Sequence, residues 1–333
     1  MVGGRRVTES DSSHGVSEAF LDHLDQLARQ DGGSWWRDVL LRDDVFLAVR
    51  RNSLNVYYRG GSIFRIDDRG DGTASPKTHV KYLVRQQQAL AELVDGEFKP
   101  NGIGWTHYAG QETLRDMIRA ASDLAGAEKS GLHPLIMGSP AVVDVEIALG
   151  RAQESEINGS TADGTGSRVN RNLDRLDVAT LERQGADIAV VFHEAKHFTN
   201  TALRARSGSP AVVDQLRRYR LTLLHHTPAL IARYQAACRA IMRLDAMRRH
   251  VRLDAAGVPL PRDPLVQEVA IGNTVLTIDP NPRLIIFGFD ADQKKGQLKT
   301  ILSALETADP NLAVYAAGDP SSAGGAFRPP TKP

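Results

Sequence analysis

The 333-residue sequence predicts an α/β protein in two parts: an N-terminal α+β accessory domain over residues 15–130 and an α/β core over residues 132–316. Three observations predict it. Short apolar runs bounded by Gly, Asn and Arg turns recur along the chain and read as strands. Segments with apolar residues at helical spacing interleave with them. The length is that of about two domains. Apolar residues make up 41% of the chain and charged residues 24%, which supports sizeable cores and excludes global disorder.

Lys plus Arg number 41 and Asp plus Glu 40, so the net charge of +1 excludes a polybasic protein but leaves local patches open. Cys238 is the one cysteine, which excludes an intrachain disulfide and a Cys-rich zinc site. No run of about 18 apolar residues occurs, so no membrane-spanning helix is expected. The first thirty residues lack an apolar signal-peptide segment, and a cytoplasmic location is the expectation.

Residues 1–14 are small and polar and are expected to be disordered. Val16, Phe20, Leu21, Leu24 and Leu27 recur at helical spacing, with Ser13 as the cap. Val45–Arg50, Leu54–Tyr58 and Ser62–Ile66 alternate with the turns at Arg51–Ser53 and Arg59–Gly61, the pattern of an antiparallel meander. Asp67–Lys77 reads as a loop, and helices follow near Lys81–Val94 and Glu112–Ala127. In the second part Val142–Leu149 is a strand. Gly150–Asn172, rich in small polar residues, is a loop or lid. Asn172–Leu181 and Ala186–Phe198 are strands joined by a turn at Arg183–Gly185. Pro210–Leu224 and Pro228–Arg249 read as two helices, with His225 and His226 at the boundary between them. Leu265–Val269, Thr274–Ile278 and Arg283–Phe289 read as strands, Gln293–Glu306 as a helix and Leu312–Ala316 as a last strand. Residues 317–333 form a Pro/Gly/Ser-rich tail expected to be disordered.

The chemistry concentrates between Leu173 and Tyr219. Residues two apart on a strand share a face, so Glu194 and Lys196 emerge side by side at the end of the apolar run Ile188–Phe192. The hairpin through Arg183–Gly185 brings Asp177 beside them. Two converging carboxylates need a cation, and hard oxygen ligands suit Mg²⁺, with Mn²⁺ as a substitute; the Ala195 carbonyl adds a further oxygen. Such a metal activates water and binds a phosphate oxygen. A neighbouring lysine orients the water or stabilises charge building on the phosphate. The alternative for Glu194 and Lys196 is a same-face ion pair of little consequence, and for Asp177 a surface acid. His193 and His197 point to the opposite face and read as packing or solvent-facing residues.

Asp177, then Glu194-Ala195-Lys196, then Gln215-Leu216-Arg217-Arg218-Tyr219 resembles the PD-(D/E)XK nuclease superfamily over residues 140–225. That resemblance implies a restriction-endonuclease-like core, a mixed central sheet flanked by helices, and Mg²⁺-dependent hydrolysis of DNA, with RNA not excluded. It implies Asp177 and Glu194 as metal ligands, Lys196 acting on the water, and Gln215 and Tyr219 supporting the site or contacting substrate. It also implies an earlier acidic ligand, for which Glu146 is preferred over Asp144, Glu154 and Glu156. An acid inside an apolar run must be paired or bind a cation. Leu176 stands where the family has proline. Bacterial defence or DNA repair is the role the resemblance suggests.

From Lys196 to His250 the chain carries eleven cations and two acids. A phosphate backbone suits such a surface, and a solvated helix face is the plain alternative for Arg233–Arg249. Arg217 and Arg218 share a helix with Gln215, and Arg175 precedes Asp177 on its strand. With Tyr219 these are the nucleic-acid-binding candidates, and Arg151, Arg168 and Arg171 add charge from the loop. Trp35, Trp36, Tyr57 and Tyr58 offer base-stacking faces or simple core packing. Walker A, Gly-x-Gly-x-x-Gly and Gly-x-Ser-x-Gly motifs are absent. Two rivals stand beside the nuclease reading: a non-catalytic nucleic-acid-binding module, and a subunit activated by a partner protein. A homodimer is compatible with either.

Overall fold

The computed structural model describes residues 14–30, 34–84, 92–94, 96–99, 104–151, 173–205, 208–252, 262–320 and 326–327. The expectations for residues 1–13, for most of the Gly150–Asn172 loop and for most of the tail lie outside the described residues.

Two units emerge, one of residues 1–130 and 240–261, the other of residues 131–239 and 262–333. In the first, α1 (Glu18–Arg29) buries Phe20, Leu21, Leu24 and Ala28 along one stripe. Its cap is Ser17, whose side chain accepts the Phe20 N–H, rather than the expected Ser13. A short α2 (Trp35–Leu40), which no periodicity announced, is capped by Ser34 and buries Trp36 completely. The meander forms as expected: β1 (Phe46–Arg50), β2 (Ser53–Tyr58) and β3 (Gly61–Asp68) pair antiparallel in order. Arg59 and Gly60 both take positive φ, the conformation a two-residue hairpin turn demands. The expected loop after β3 instead supplies a fourth strand, β4 (Ala74–Lys77), paired with β3. The helix expected near Lys81–Val94 is not found among the described residues. A 3₁₀ turn occupies Val80–Tyr82, and Glu92–Val94 (β5) pairs with Glu97–Lys99 (β6). Then α3 (Gln111–Leu124) packs Leu114, Met117 and Ile118 inward.

The second unit follows α4 (Ala127–Met137) with a mixed sheet flanked by helices. Its strands are β7 (Val142–Gly150), β8 (Leu173–Gln184), β9 (Asp187–His197), β10 (Leu276–Ile278), β11 (Arg283–Phe287) and β12 (Val314–Gly318). The order is β12-β11-β9-β8-β7, with β10 also paired to β9. Strands β7 and β9 each pair antiparallel with β8, while β10 and β11 pair in parallel with β9, and β12 in parallel with β11. Nine consecutive residues of β9, Ile188–Lys196, are buried, as befits a central strand covered on both faces.

Three expectations are corrected. Pro210–Leu224 and Pro228–Arg249 belong to one 42-residue helix, α5 (Ala211–Arg252). Proline inside a helix deletes one hydrogen bond, to the carbonyl four residues earlier. Here that carbonyl belongs to Leu224, and both Leu224 and Pro228 are exposed, so water can take the freed group. Leu265–Val269 is not a strand but part of α6 (Pro264–Ile271). Asp263 caps it through Leu265 N–H, Pro264 sits at the first turn, and Gly272 ends it in the left-handed conformation. The last expected helix is broken at Gly296 into α7 (Ala291–Lys295) and α8 (Gln297–Ala308).

Candidate functional site

The β8–β9 hairpin sets the site. Its register runs from Gln184↔Asp187 to Val178↔His193, so the next pair along the ladder is Asp177 opposite Glu194. The Ala195 N–H donates to Asp177 Oδ2 at 2.9 Å, locking the acid onto β9. Lys196 Nζ donates to Glu194 Oε1, and Gln215 Nε2 donates to the same oxygen at 2.8 Å. Gln215 Nε2 also reaches Tyr219 Oη at 2.7 Å, and Tyr219 donates its proton to the Arg175 carbonyl. Gln215 and Tyr219 sit four apart on α5, hence on one face of that helix. The structure therefore gathers Asp177, Glu194, Lys196, Gln215 and Tyr219 into one bonded cluster.

The cluster is dry. Asp177, Glu194 and Lys196 are 9%, 2% and 8% exposed, which takes the Glu194–Lys196 pair out of the class of surface ion pairs. Glu194 Oε2 is buried and has no hydrogen-bond partner. An orphaned carboxylate oxygen costs on the order of 1–3 kcal/mol or more, so its environment lacks something. Burial, reinforced by the Asp177 charge, pushes the Glu194 carboxyl far above its ordinary pKa, against the pull of Lys196 and Gln215. Burial and the Glu194 charge likewise raise the Tyr219 phenol, which keeps it a proton donor. Two buried acids and one ammonium thus share this place.

Glu146 stands across from this pair. The β7–β8 ladder pairs Val145 with Val178 and Ile147 with Leu176, which leaves Glu146 opposite Asp177. Glu146 has φ of 53°, the left-handed region, in the middle of a strand. For a non-glycine residue that costs on the order of 1–3 kcal/mol, and such strain clusters at functional sites. Among the described residues, no three His, Cys, Asp or Glu side chains are gathered as a metal cluster. What converges is the Asp177–Glu194 pair, with Glu146 in register beside it. Asp144, the other described candidate, accepts from Val145 N–H, Arg233 and Tyr234 and ties β7 to α5. Glu154 and Glu156 lie outside the described residues. Ala195 offers its N–H to Asp177, a role that sequence reading missed.

The arginines divide. Arg175 is exposed on β8. Arg217 is held by Asp214 and the Ala308 carbonyl, and Arg218 by Asp174. Arg204 binds the Phe198 and Asn200 carbonyls. Within the first unit, Arg243 pairs with Glu18 and Asp22, and Arg248 with the Val45 carbonyl. Much of the basic stretch is thus structural. Trp36 is core, and Trp35 packs on Phe64. His193 is buried with Nε2 against Thr180 Oγ1, and His197 bonds Thr199. Asp174, buried and joined to two arginines, was not singled out by sequence, because its partners lie far away along the chain.

No family model, curated protein or solved structure matches the chain. Among the described residues, no helix is long and apolar enough to cross a membrane.

Proposed function

We propose that the protein is a metal-dependent nuclease that hydrolyses DNA phosphodiester bonds at Asp177, Glu194 and Lys196, on a core of the restriction-endonuclease-like type. The observation that carries this reading is the buried, unpartnered Glu194 Oε2 beside a second buried carboxylate. That donor set fits a hard divalent cation. Asp177 and Glu194 would hold Mg²⁺ or Mn²⁺, joined by the Ala195 carbonyl and by Glu146 from the neighbouring strand. When bound, the ion supplies an acidified water and a Lewis acid for a phosphate oxygen.

The chain's own residues do the rest. Lys196 lies two residues along the same strand as Glu194, so its ammonium serves the same point in space. There it orients the attacking water and offsets negative charge that grows on the phosphate. Gln215 fixes the Glu194 carboxylate through Oε1 and leaves Oε2 to its other task. Tyr219 anchors Gln215 to β8. Burial of the cluster strengthens each of these interactions relative to water.

The test is supercoiled plasmid incubated with Mg²⁺, with and without EDTA. Cleavage is expected with metal and absent with chelator, and Lys196→Ala lowers the rate by about 10²–10³-fold or more while DNA binding persists. A wild-type protein that binds DNA in a salt-sensitive way without cutting it under Mg²⁺ or Mn²⁺ refutes the enzyme and favours the binding module. Cleavage that appears only with an added cellular partner favours the activated subunit.

A further inference from the structure

A second ionic cluster lies just upstream of the carboxylate pair on the same strand. Asp174 begins β8, three residues before Asp177, and its side chain is 0% exposed. Its Oδ1 accepts from Arg151 Nε at 3.0 Å and from Arg218 Nε at 2.8 Å, and its Oδ2 accepts from the Thr222 hydroxyl at 2.7 Å. Arg151 comes from the end of β7 and Arg218 from α5, so three elements meet at one carboxylate.

A structural ion pair needs one arginine. Here two guanidinium groups share a single oxygen, so among the described residues the cluster carries a net positive charge and holds two like charges close together against their repulsion. Both bonds to Asp174 run through Nε, which leaves the terminal nitrogens of each fork unspent on that carboxylate. The two arginine side chains are 39% and 40% exposed, so these forks are open to solvent although their anchor is fully buried. Arg218 is further steadied over the Tyr219 ring, 5.5 Å from its centroid. Tyr219 bonds Gln215, and Gln215 bonds Glu194. A continuous chain of contacts thus ties this fork to the carboxylate pair.

Planar guanidinium forks match phosphate oxygens, and a pair fixed in orientation loses little side-chain freedom on binding. We propose that Arg151 and Arg218, held by buried Asp174, form a two-armed seat for a non-scissile phosphate of the DNA strand. The proposal rests on the nuclease reading for the identity of its partner. Three residues of strand span about 10 Å, on the order of three base steps of duplex at about 3.4 Å each. The seated phosphate is therefore within a few nucleotides of the bond to be cut. Asp174 is a positioning residue in this arrangement.

The experiment measures binding of a fluorescein-labelled DNA duplex in EDTA, by anisotropy across a salt titration, and cleavage separately in Mg²⁺. Arg151→Gln and Arg218→Gln each lower the slope of log Kd against log salt by about 0.9, and the double variant by about twice that. Each single variant leaves Asp174 one arginine and Thr222. Arg151→Lys and Arg218→Lys keep the charge, and with it the slope and the ion pair, but weaken binding several-fold because an ammonium cannot fork. Wild-type slopes in the glutamine variants, or wild-type affinity in the lysine variants, overturn the seat. If wild type also cleaves, that result leaves the nuclease reading standing. Slope losses in a protein that never cleaves keep the seat and refute the nuclease. A wild type that does not bind DNA refutes both.

Discussion

Glu194→Gln separates the cost of the buried carboxylate from its use. In the metal-free protein the raised pKa means that the folded state holds a proton the unfolded chain releases above 4.5. The associated stability is fully present below that value and is lost as pH rises through the folded-state pKa, on the alkaline side. Wild-type protein in EDTA should therefore melt at falling temperature as pH rises from about 4.5 into the alkaline range. Glutamine keeps the Oε1 acceptor used by Lys196 and Gln215, and replaces the orphan oxygen with a donor beside Asp177. Relief of an unpaired buried acceptor is worth on the order of 1–3 kcal/mol. At about 2–4 °C per kcal/mol for a domain of this size, Glu194→Gln raises the alkaline melting temperature by roughly 2–12 °C and flattens its pH dependence. Mg²⁺ reverses the ranking. At one thousand times Kd it adds about 4.1 kcal/mol to wild type and nothing to the variant. Differential scanning calorimetry at two pH values, with EDTA and with Mg²⁺, reads all four states. A variant that melts below wild type in EDTA at alkaline pH, or that still gains from Mg²⁺, refutes the reasoning.

Asp144→Ala removes the carboxylate that pairs with Arg233, whose side chain is 19% exposed; it should cost about 3–5 kcal/mol in urea denaturation without abolishing metal binding. Burial first, then the Arg283 charge, depress the His193 pKa from 6.5 to about 3, so the unfolded chain takes up a proton the folded one refuses. Stability falls as pH drops from 6.5 towards 3, by about 2 kcal/mol at pH 5; His193→Gln should remove that fall when both proteins carry Glu194→Gln, which silences the opposing titration. Arg243→Ala breaks exposed pairs with Glu18 and Asp22, so it should cost at most about 1 kcal/mol and leave the salt dependence of DNA binding unchanged.

The strands around the site were legible because their signals are local. Ile188–Phe192 is a continuous apolar run, Gly185, at φ of 65°, and Ala186 make the tight turn just past Arg183 and Gln184, which belong to β8, and the acids fall at a spacing that a hairpin brings together. Residues of α6 were misread because the five-residue window Leu265–Val269 fits a strand as well as a helix turn. The deciding signals, Asp263 and Pro264 before it and Gly272 after it, lay outside that window. Pro228 was read as a stop because proline usually is one; its exposed place on α5 makes the lost bond tolerable, and exposure is a tertiary fact. The positive φ of Glu146 and the anchoring of two arginines by Asp174 had no sequence signal at all. The Asp174 anchor joins residues 23 and 44 positions apart in the chain.

The fate of the basic stretch shows why a charge count is a weak guide to a binding surface. Eleven cations against two acids within 55 residues suggest a surface suited to a phosphate backbone. The acids that answer many of those cations come from elsewhere in the chain: Asp144 for Arg233, Asp174 for Arg218, Glu18 and Asp22 for Arg243. Where the acid is exposed, as at Glu18 and Asp22, the pair is an ordinary surface contact and the local field is cancelled. Where the acid is fully buried and the arginine is not, as at Asp174, the pair acts as a mount that holds a cation outward. Pairing in itself does not retire an arginine from recognition. What decides is which partner of the pair faces water, and by that measure the charge that counts lies at Arg151 and Arg218, on the rim of the carboxylate site.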